Sequence, residues 1–112
     1  NMQSNFSYKL TPLALQDIDD TLAYISDKLA NAKAAADLLD ALEHTLEQIC
    51  SYPYAFPDCS LFLITDSSIR HAPVNNYLIV YEIDEEVQQI NVLRFRFART
   101  DMANTPIKKS NQ

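Results

Sequence analysis

All four arginines of this acidic chain lie in its second half: Arg70 in SIRHAPV, and Arg94, Arg96 and Arg99 in VLRFRFART. A guanidinium stays ionised and presents its donors in a planar fork. A group of them therefore suits one chemistry above others, the holding and neutralising of a phosphate or carboxylate oxyanion. His71, beside Arg70, is the only histidine of this region and the side chain there that can exchange a proton near pH 7. Arg70, Arg94, Arg96, Arg99 and His71 are thus the candidate site residues. The competing reading is ordinary ion pairing of Arg94 and Arg96 with strand acids such as Glu82 and Asp84, at about 0–1 kcal/mol for each exposed pair.

Several other chemistries are excluded. The chain has no glycine, so no Gly-rich loop can cradle a nucleotide phosphate. Cys50 and Cys59 form no C-x-x-C pair, and with two histidines in the whole chain the ligands for zinc are too few. They read as reduced thiols, and no cofactor or metal is expected. The net charge of −6 opposes non-specific binding to a nucleic-acid backbone. That charge is uneven: three lysines meet eight acids over residues 1–57, whereas six basic residues meet seven acids over 58–112.

At 112 residues, 47% apolar and 21% charged, the sequence predicts one globular domain over 1–112 with an ordered core over about 6–101. No apolar run approaches the ~18 residues that span a bilayer. NMQSNFSYKL lacks the basic-then-apolar plan of a secretory signal, so a cytoplasmic location is expected. Asn1 reads as a residue left by an expression tag and Met2 as the start.

The elements that position the arginines follow from periodicity. FSYKL alternates as a short strand and runs into Thr11-Pro12, a helix start with Thr as N-cap. Leu15, Ile18, Leu22, Ile25 and Leu29 then recur at helical spacing, with Asp17, Asp20 and Asp27 on a solvated face. Asn31 caps a second helix carrying Ala35, Leu38, Leu39, Leu42, Leu46 and Ile49, which Tyr52-Pro53 stops. So short a joint folds the helices back antiparallel onto a common third layer.

After YPYAFPDC the period changes to two. SLFLIT, SIRHAPV, NYLIVYEI and VQQINVLRFRFA are candidate strands, separated by Asp66-Ser67, Asn75-Asn76 and Asp84-Glu85-Glu86. The fold class is α+β: an N-terminal strand and an antiparallel two-helix hairpin packed on a mostly antiparallel sheet of about four to five strands. Strand alternation sends Arg94 and Arg96 to one face and Leu93, Phe95 and Phe97 to the other. Tyr77 and Tyr81 share a face as core aromatics, His71 opposes Arg70, and the polar tail 105–112 is expected to fray.

This order of pieces resembles the RelE/ParE superfamily of toxins. The resemblance rests on the strand, the Ala-rich second helix KAAADLLDALEHTLEQI, the Pro-bounded YPYAFP, Ile69-Arg70, Asn76-Tyr77 with Ile79-Val80-Tyr81-Glu82, and Leu93-Arg94 through Asp101, and covers about residues 6–101. It implies the toxin half of a bacterial toxin–antitoxin, or plasmid-stabilisation, module. An antitoxin chain would neutralise it, and its target would be DNA gyrase in one branch or ribosome-bound mRNA in the other.

Cleaving RNA without a metal needs a base, an acid and guanidinium groups for the phosphate. The arginines supply the last. The first two are missing where such family members carry them: no lysine lies between Lys33 and Lys108, Phe97 stands about where a histidine is usual, and no tyrosine follows Tyr81. The expectation is therefore a ParE-like toxin, with an mRNA endonuclease and a non-toxic module that only binds its partner as the alternatives. Asp101 after Arg99-Thr100 is similar to the family's closing Arg-Asp, displaced by one position.

Overall fold

A computed structural model describes residues 6–62, 64–100, 102 and 105–109. Strand β1, Ser7–Leu10, is followed by helix α1, Pro12–Ala23. The Thr11 hydroxyl accepts from the Ala14 amide (3.3 Å) and donates to the Val92 carbonyl (2.8 Å), so one side chain both caps the helix and ties it to the sheet. That tie sets which face turns inward. Ala14 and Ile18 are buried, whereas Leu15 is 46% exposed. The expected stripe is therefore displaced by one residue at its start, where Ala14 takes the buried position in place of Leu15.

Beyond Ala23 the helix widens into a π turn, Tyr24–Lys28, in which the Leu29 amide reaches back to the Tyr24 carbonyl (3.1 Å). Ala30 takes a left-handed φ of 49°, and Asn31 caps helix α2, Ala32–Ser51, by accepting from the Ala34 amide (3.0 Å). This turn buries Ile25 and sends Leu29 outward at 55% exposure. On α2, Leu38, Leu42, Leu46 and Ile49 are buried as the periodicity predicts, while Leu39 is exposed.

Strands β2 (Ile69–Val74), β3 (Tyr77–Asp84) and β4 (Gln89–Phe97) complete a four-stranded sheet in the order β1-β4-β3-β2. The β2–β3 and β3–β4 pairs are antiparallel and β1–β4 is parallel. Without glycine, the tight turns place Asn75 (φ 51°) and Gln88 (φ 52°) in the left-handed region. The described residues of SLFLIT form no fifth strand. Ser60–Phe62 is one 3₁₀ turn, initiated by the Asp58 carboxylate on the Ser60 amide (3.1 Å), with Leu61 87% exposed.

The sheet is covered on both faces. One carries the main core, in which Ile79, Tyr81, Ile90, Val92 and Phe95 pack against α1 and α2. The other carries a second cluster of Cys59, Ile69, Val80, Leu93 and Met102, roofed by Phe62, Ile64 and Ile107. The part of the expected frayed tail that is described, 105–109, is packed: Ile107 joins this cluster and Lys109 pairs with Asp66.

Candidate functional site

The four arginines do not form one strip. Arg70 lies on β2 opposite Tyr81, and its guanidinium turns back into the YPYAFP loop. It donates to the Phe56 carbonyl (2.8 Å) and the Tyr54 carbonyl (3.4 Å) and lies 5.0 Å from the centre of the Tyr54 ring. Its Nε is buried without a partner among the described residues. Tyr81 holds the same loop from below, its hydroxyl donating to the Pro53 carbonyl (2.7 Å), and burial pushes its phenol well above the ordinary range. Arg70 is thus part of the loop's foundation.

Arg94 is displaced by a bulge. Tyr81 pairs with Val92 and Val80 with Arg94, so Leu93 has no partner across the ladder. The extra residue sends Leu93 into the second cluster and Phe95 into the main core, which corrects the expectation that the two share a face with Phe97. Arg94 itself is only 6% exposed. Its Nε and an Nη meet the two carboxylate oxygens of Asp17 at 2.7 and 3.0 Å, and its other Nη donates to the Pro106 carbonyl (2.7 Å). Asp17 also accepts from the Phe95 amide (3.1 Å). An aspartate read as part of a solvated helix face is a buried cross-link; the sequence carries no local sign of it, because its partner lies 77 positions away.

Arg96 and Arg99 remain outside these networks. Arg96 is half-buried in a groove of about 280 Å³ between α1 and the far ends of β3 and β4, lined by Asp20, Thr21, Tyr77, Phe97 and Thr100. Tyr77 stacks on Phe95 (5.0 Å) and meets Phe97 edge-on (5.5 Å), leaving Phe97 exposed at the rim. Among the described residues, neither Arg96 nor the exposed Arg99 has an acid partner. Asp101 lies outside the described residues.

His71 occupies the other face of β2, away from Arg70 as alternation requires. Its ring packs on Phe62 (5.0 Å) with Nδ1 3.7 Å from the Cys59 sulfur, and burial lowers its pKa, which leaves it neutral at pH 7. Burial raises the Cys59 thiol to about 11, so this pair is not an activated nucleophile. Among the described residues no cluster of three His, Cys, Asp or Glu side chains suits a metal.

The fold also assembles a polar row that linear reading missed. Gln89 donates to Asn91 (2.6 Å), Asn91 to Glu82 (3.2 Å), and Lys109 bridges Glu82 (3.6 Å) and Asp66. A carboxylate and an ammonium do meet beside the central strands, but they neutralise one another beneath the packed tail. Their partnership depends on the path of residues 105–109, which no strand or helix period encodes.

A family model described as the ParE toxin of the type II toxin–antitoxin system, parDE, matches residues 8–102. Among solved structures, the chain is similar to the chromosomal ParDE toxin–antitoxin system of P. aeruginosa, with a TM-score of 0.67 at 12% identity over 86% of this chain and 99% of that one. It is also similar to the RelBE2 toxin–antitoxin complex of Mycobacterium tuberculosis, with a TM-score of 0.59 at 17% identity over 87% and 94%. At these identities the structural likeness speaks for the fold. No curated protein matches the sequence. No described helix is long and apolar enough to cross a membrane. The match over almost the whole chain, on the strand-hairpin-sheet scaffold described above, decides the family: the chain belongs to the ParE toxins of type II toxin–antitoxin systems.

Proposed function

We propose that this toxin acts by engaging a protein target, DNA gyrase in the ParE manner, through the rim formed by Arg96, Phe97 and Arg99, and that a cognate antitoxin neutralises it. The observation that carries this reading is the unequal use of the arginines. Arg70 and Arg94 are bound into the fold, by the Phe56 carbonyl and by Asp17, whereas Arg96 and Arg99 stay available beside an exposed aromatic ring. Arginine and aromatic side chains are the types that dominate protein interfaces. No histidine or lysine lines the Arg96 groove, and of its two carboxylates Asp17 is held by Arg94 and Asp20 by Gln16, which favours binding over RNA cleavage. The two similar solved structures, a ParDE toxin–antitoxin system and a RelBE2 toxin–antitoxin complex, support the antitoxin as partner.

The experiment is induced expression in a bacterial host, with and without the small open reading frame beside the toxin gene, read out by growth, plasmid supercoiling and transcript integrity. Arrest relieved by the neighbour, with altered supercoiling and intact transcripts, is the expected result. Cut transcripts would move the toxin to the endonuclease branch. Undisturbed growth would leave a module that only binds its partner.

A further inference from the structure

The groove that holds Arg96 carries both signs of charge, and they do not neutralise each other. Asp20 stands on its helix wall and Arg96 on its strand wall, yet the two form no ion pair. Asp17, the other carboxylate there, is closed to a ligand, because Arg94 and the Phe95 amide take both its oxygens. Asp20 is exposed and engaged only through Oδ1, by the neutral Gln16 side chain at 2.7 Å. Facing it, the Arg96 guanidinium and the Tyr77 and Thr100 hydroxyls make no hydrogen bond among the described residues. The groove thus offers several donors from the sheet side and one open acceptor from α1, around about 280 Å³. That is less than the roughly 300–1,000 Å³ of pockets that enclose a small molecule, so it suits one group of a larger partner.

We propose that this groove takes a neutral backbone peptide group from an extended segment of the toxin's protein target, its C=O accepting from Arg96 and its N–H donating to Asp20. This rests on the target reading above and names the chemistry by which the rim recognises that target. Charge decides the class of ligand. A carboxylate or phosphate on Arg96 would lie beside the Asp20 charge, and an ammonium or guanidinium on Asp20 would lie beside Arg96; either meets one like charge for each opposite one. A peptide group carries one donor and one acceptor and no net charge, so it satisfies both walls. The trans peptide bond points its N–H and C=O in opposite directions, which matches an acceptor and a donor on opposite sides. The carbonyl oxygen has two lone pairs, so a hydroxyl can share it with Arg96. At the mouth, Phe97 is 44% exposed and meets Tyr77 edge-on at 5.5 Å, which gives the adjoining side chain of the segment an apolar surface.

The test is surface plasmon resonance of purified DNA gyrase over the immobilised full-length toxin, as the parent and as Asp20→Ala and Arg96→Ala. Asp20 is exposed and its bond to Gln16 lies within one turn of the helix surface, so its removal leaves the fold intact. Both variants should weaken binding by about tenfold or more, because each strips one hydrogen bond to a charged group from the same peptide unit. The direction of the change in Asp20→Ala is decisive. An anionic ligand would bind this variant more tightly than the parent, since a like charge has left; that result overturns the proposal in favour of a carboxylate or phosphate. Tighter binding by Arg96→Ala overturns it in favour of a cation. Parent-like binding by Asp20→Ala overturns it too, leaving Arg96 to act without its opposite wall. A parent toxin that neither binds gyrase nor alters supercoiling overturns the target reading itself, an outcome distinct from a parent that binds while Asp20→Ala matches it.

Discussion

Arg94 and Asp17 form a two-pronged ion pair, Nε to Oδ2 at 2.7 Å and Nη2 to Oδ1 at 3.0 Å, with both side chains nearly closed to solvent. Three pieces of chain meet in it: helix α1, strand β4 past the end of β1, and the segment carrying Pro106. Asp17 also satisfies the Phe95 amide at 3.1 Å. Asp17→Ala would strand a buried guanidinium and an edge amide together, so a loss of about 3–5 kcal/mol is expected in urea unfolding. Arg94→Met with Asp17→Leu should recover most of that loss, because both charges leave together. A single variant as stable as the parent would show the pair to be solvated.

The arginines should separate by phenotype. Arg70→Ala removes the donor to Phe56 and the cation above Tyr54, so it should cost about 1–3 kcal/mol and speed proteolysis within residues 52–58. Arg96→Ala and Arg99→Ala should leave the unfolding free energy within about 0.5 kcal/mol of the parent, as surface changes do, while reducing growth arrest. Unchanged arrest in the Arg96 and Arg99 double variant would remove the rim from the toxic mechanism.

The difference between these arginines marks where sequence reading stops. Caps and turns are local, so Thr11, Asn31 and Asn75 announce the helix starts and the hairpin directly. The order of elements, read together, also leads to the family. Leu93 is where that reasoning fails: one unpaired residue reverses the parity of everything after it, and alternation counted along β4 cannot register a bulge. Asp17 and Lys109 fail for another reason. Their partners are fixed by tertiary closure, so each looks in isolation like any solvated charge.

A chain without glycine carries backbone strain where a left-handed residue is required. Ala30 adopts φ 49° at the joint after the π turn, and its Cβ there crowds the following carbonyl. Ala30→Gly should therefore stabilise the fold by about 1 kcal/mol, less the entropy glycine adds to the unfolded chain. Asn75→Gly should gain less, since asparagine already tolerates φ 51°. Thermal unfolding of the two variants checks the order; a destabilised Ala30→Gly would mean the strain is relieved elsewhere.

The two thiols should react unequally. Burial raises both, but Cys59 lies fully inside the second cluster at about 11, whereas Cys50 is half-buried at the end of α2. At pH 8 only about one Cys59 in a thousand is the thiolate that attacks a maleimide. Peptide mapping after native alkylation should find Cys50 labelled first and Cys59 labelled only at the rate of unfolding. Earlier labelling of Cys59 would show that the loop over 57–66 opens readily.

The tail's anchor should make stability depend on acid. Hydrogen bonding from Lys109, then from the Ser68 hydroxyl and amide, holds the Asp66 carboxyl down to about 2. A carboxyl depressed in the folded state stabilises that state at any pH above its unfolded value near 3.9, and the contribution is lost as pH falls through about 2. Lys109 is raised in turn, foremost by Asp66, so its share holds below 10.5 and is lost only as pH rises beyond that. Both side chains are about a third open to solvent, which limits the pair to no more than about 1 kcal/mol. Lys109→Ala should lower stability by that amount at pH 5–8, and the gap to the parent should close between pH 4 and 2. A gap that persists unchanged to pH 2 would mean that Lys109 holds the tail through its aliphatic stem and not through its charge.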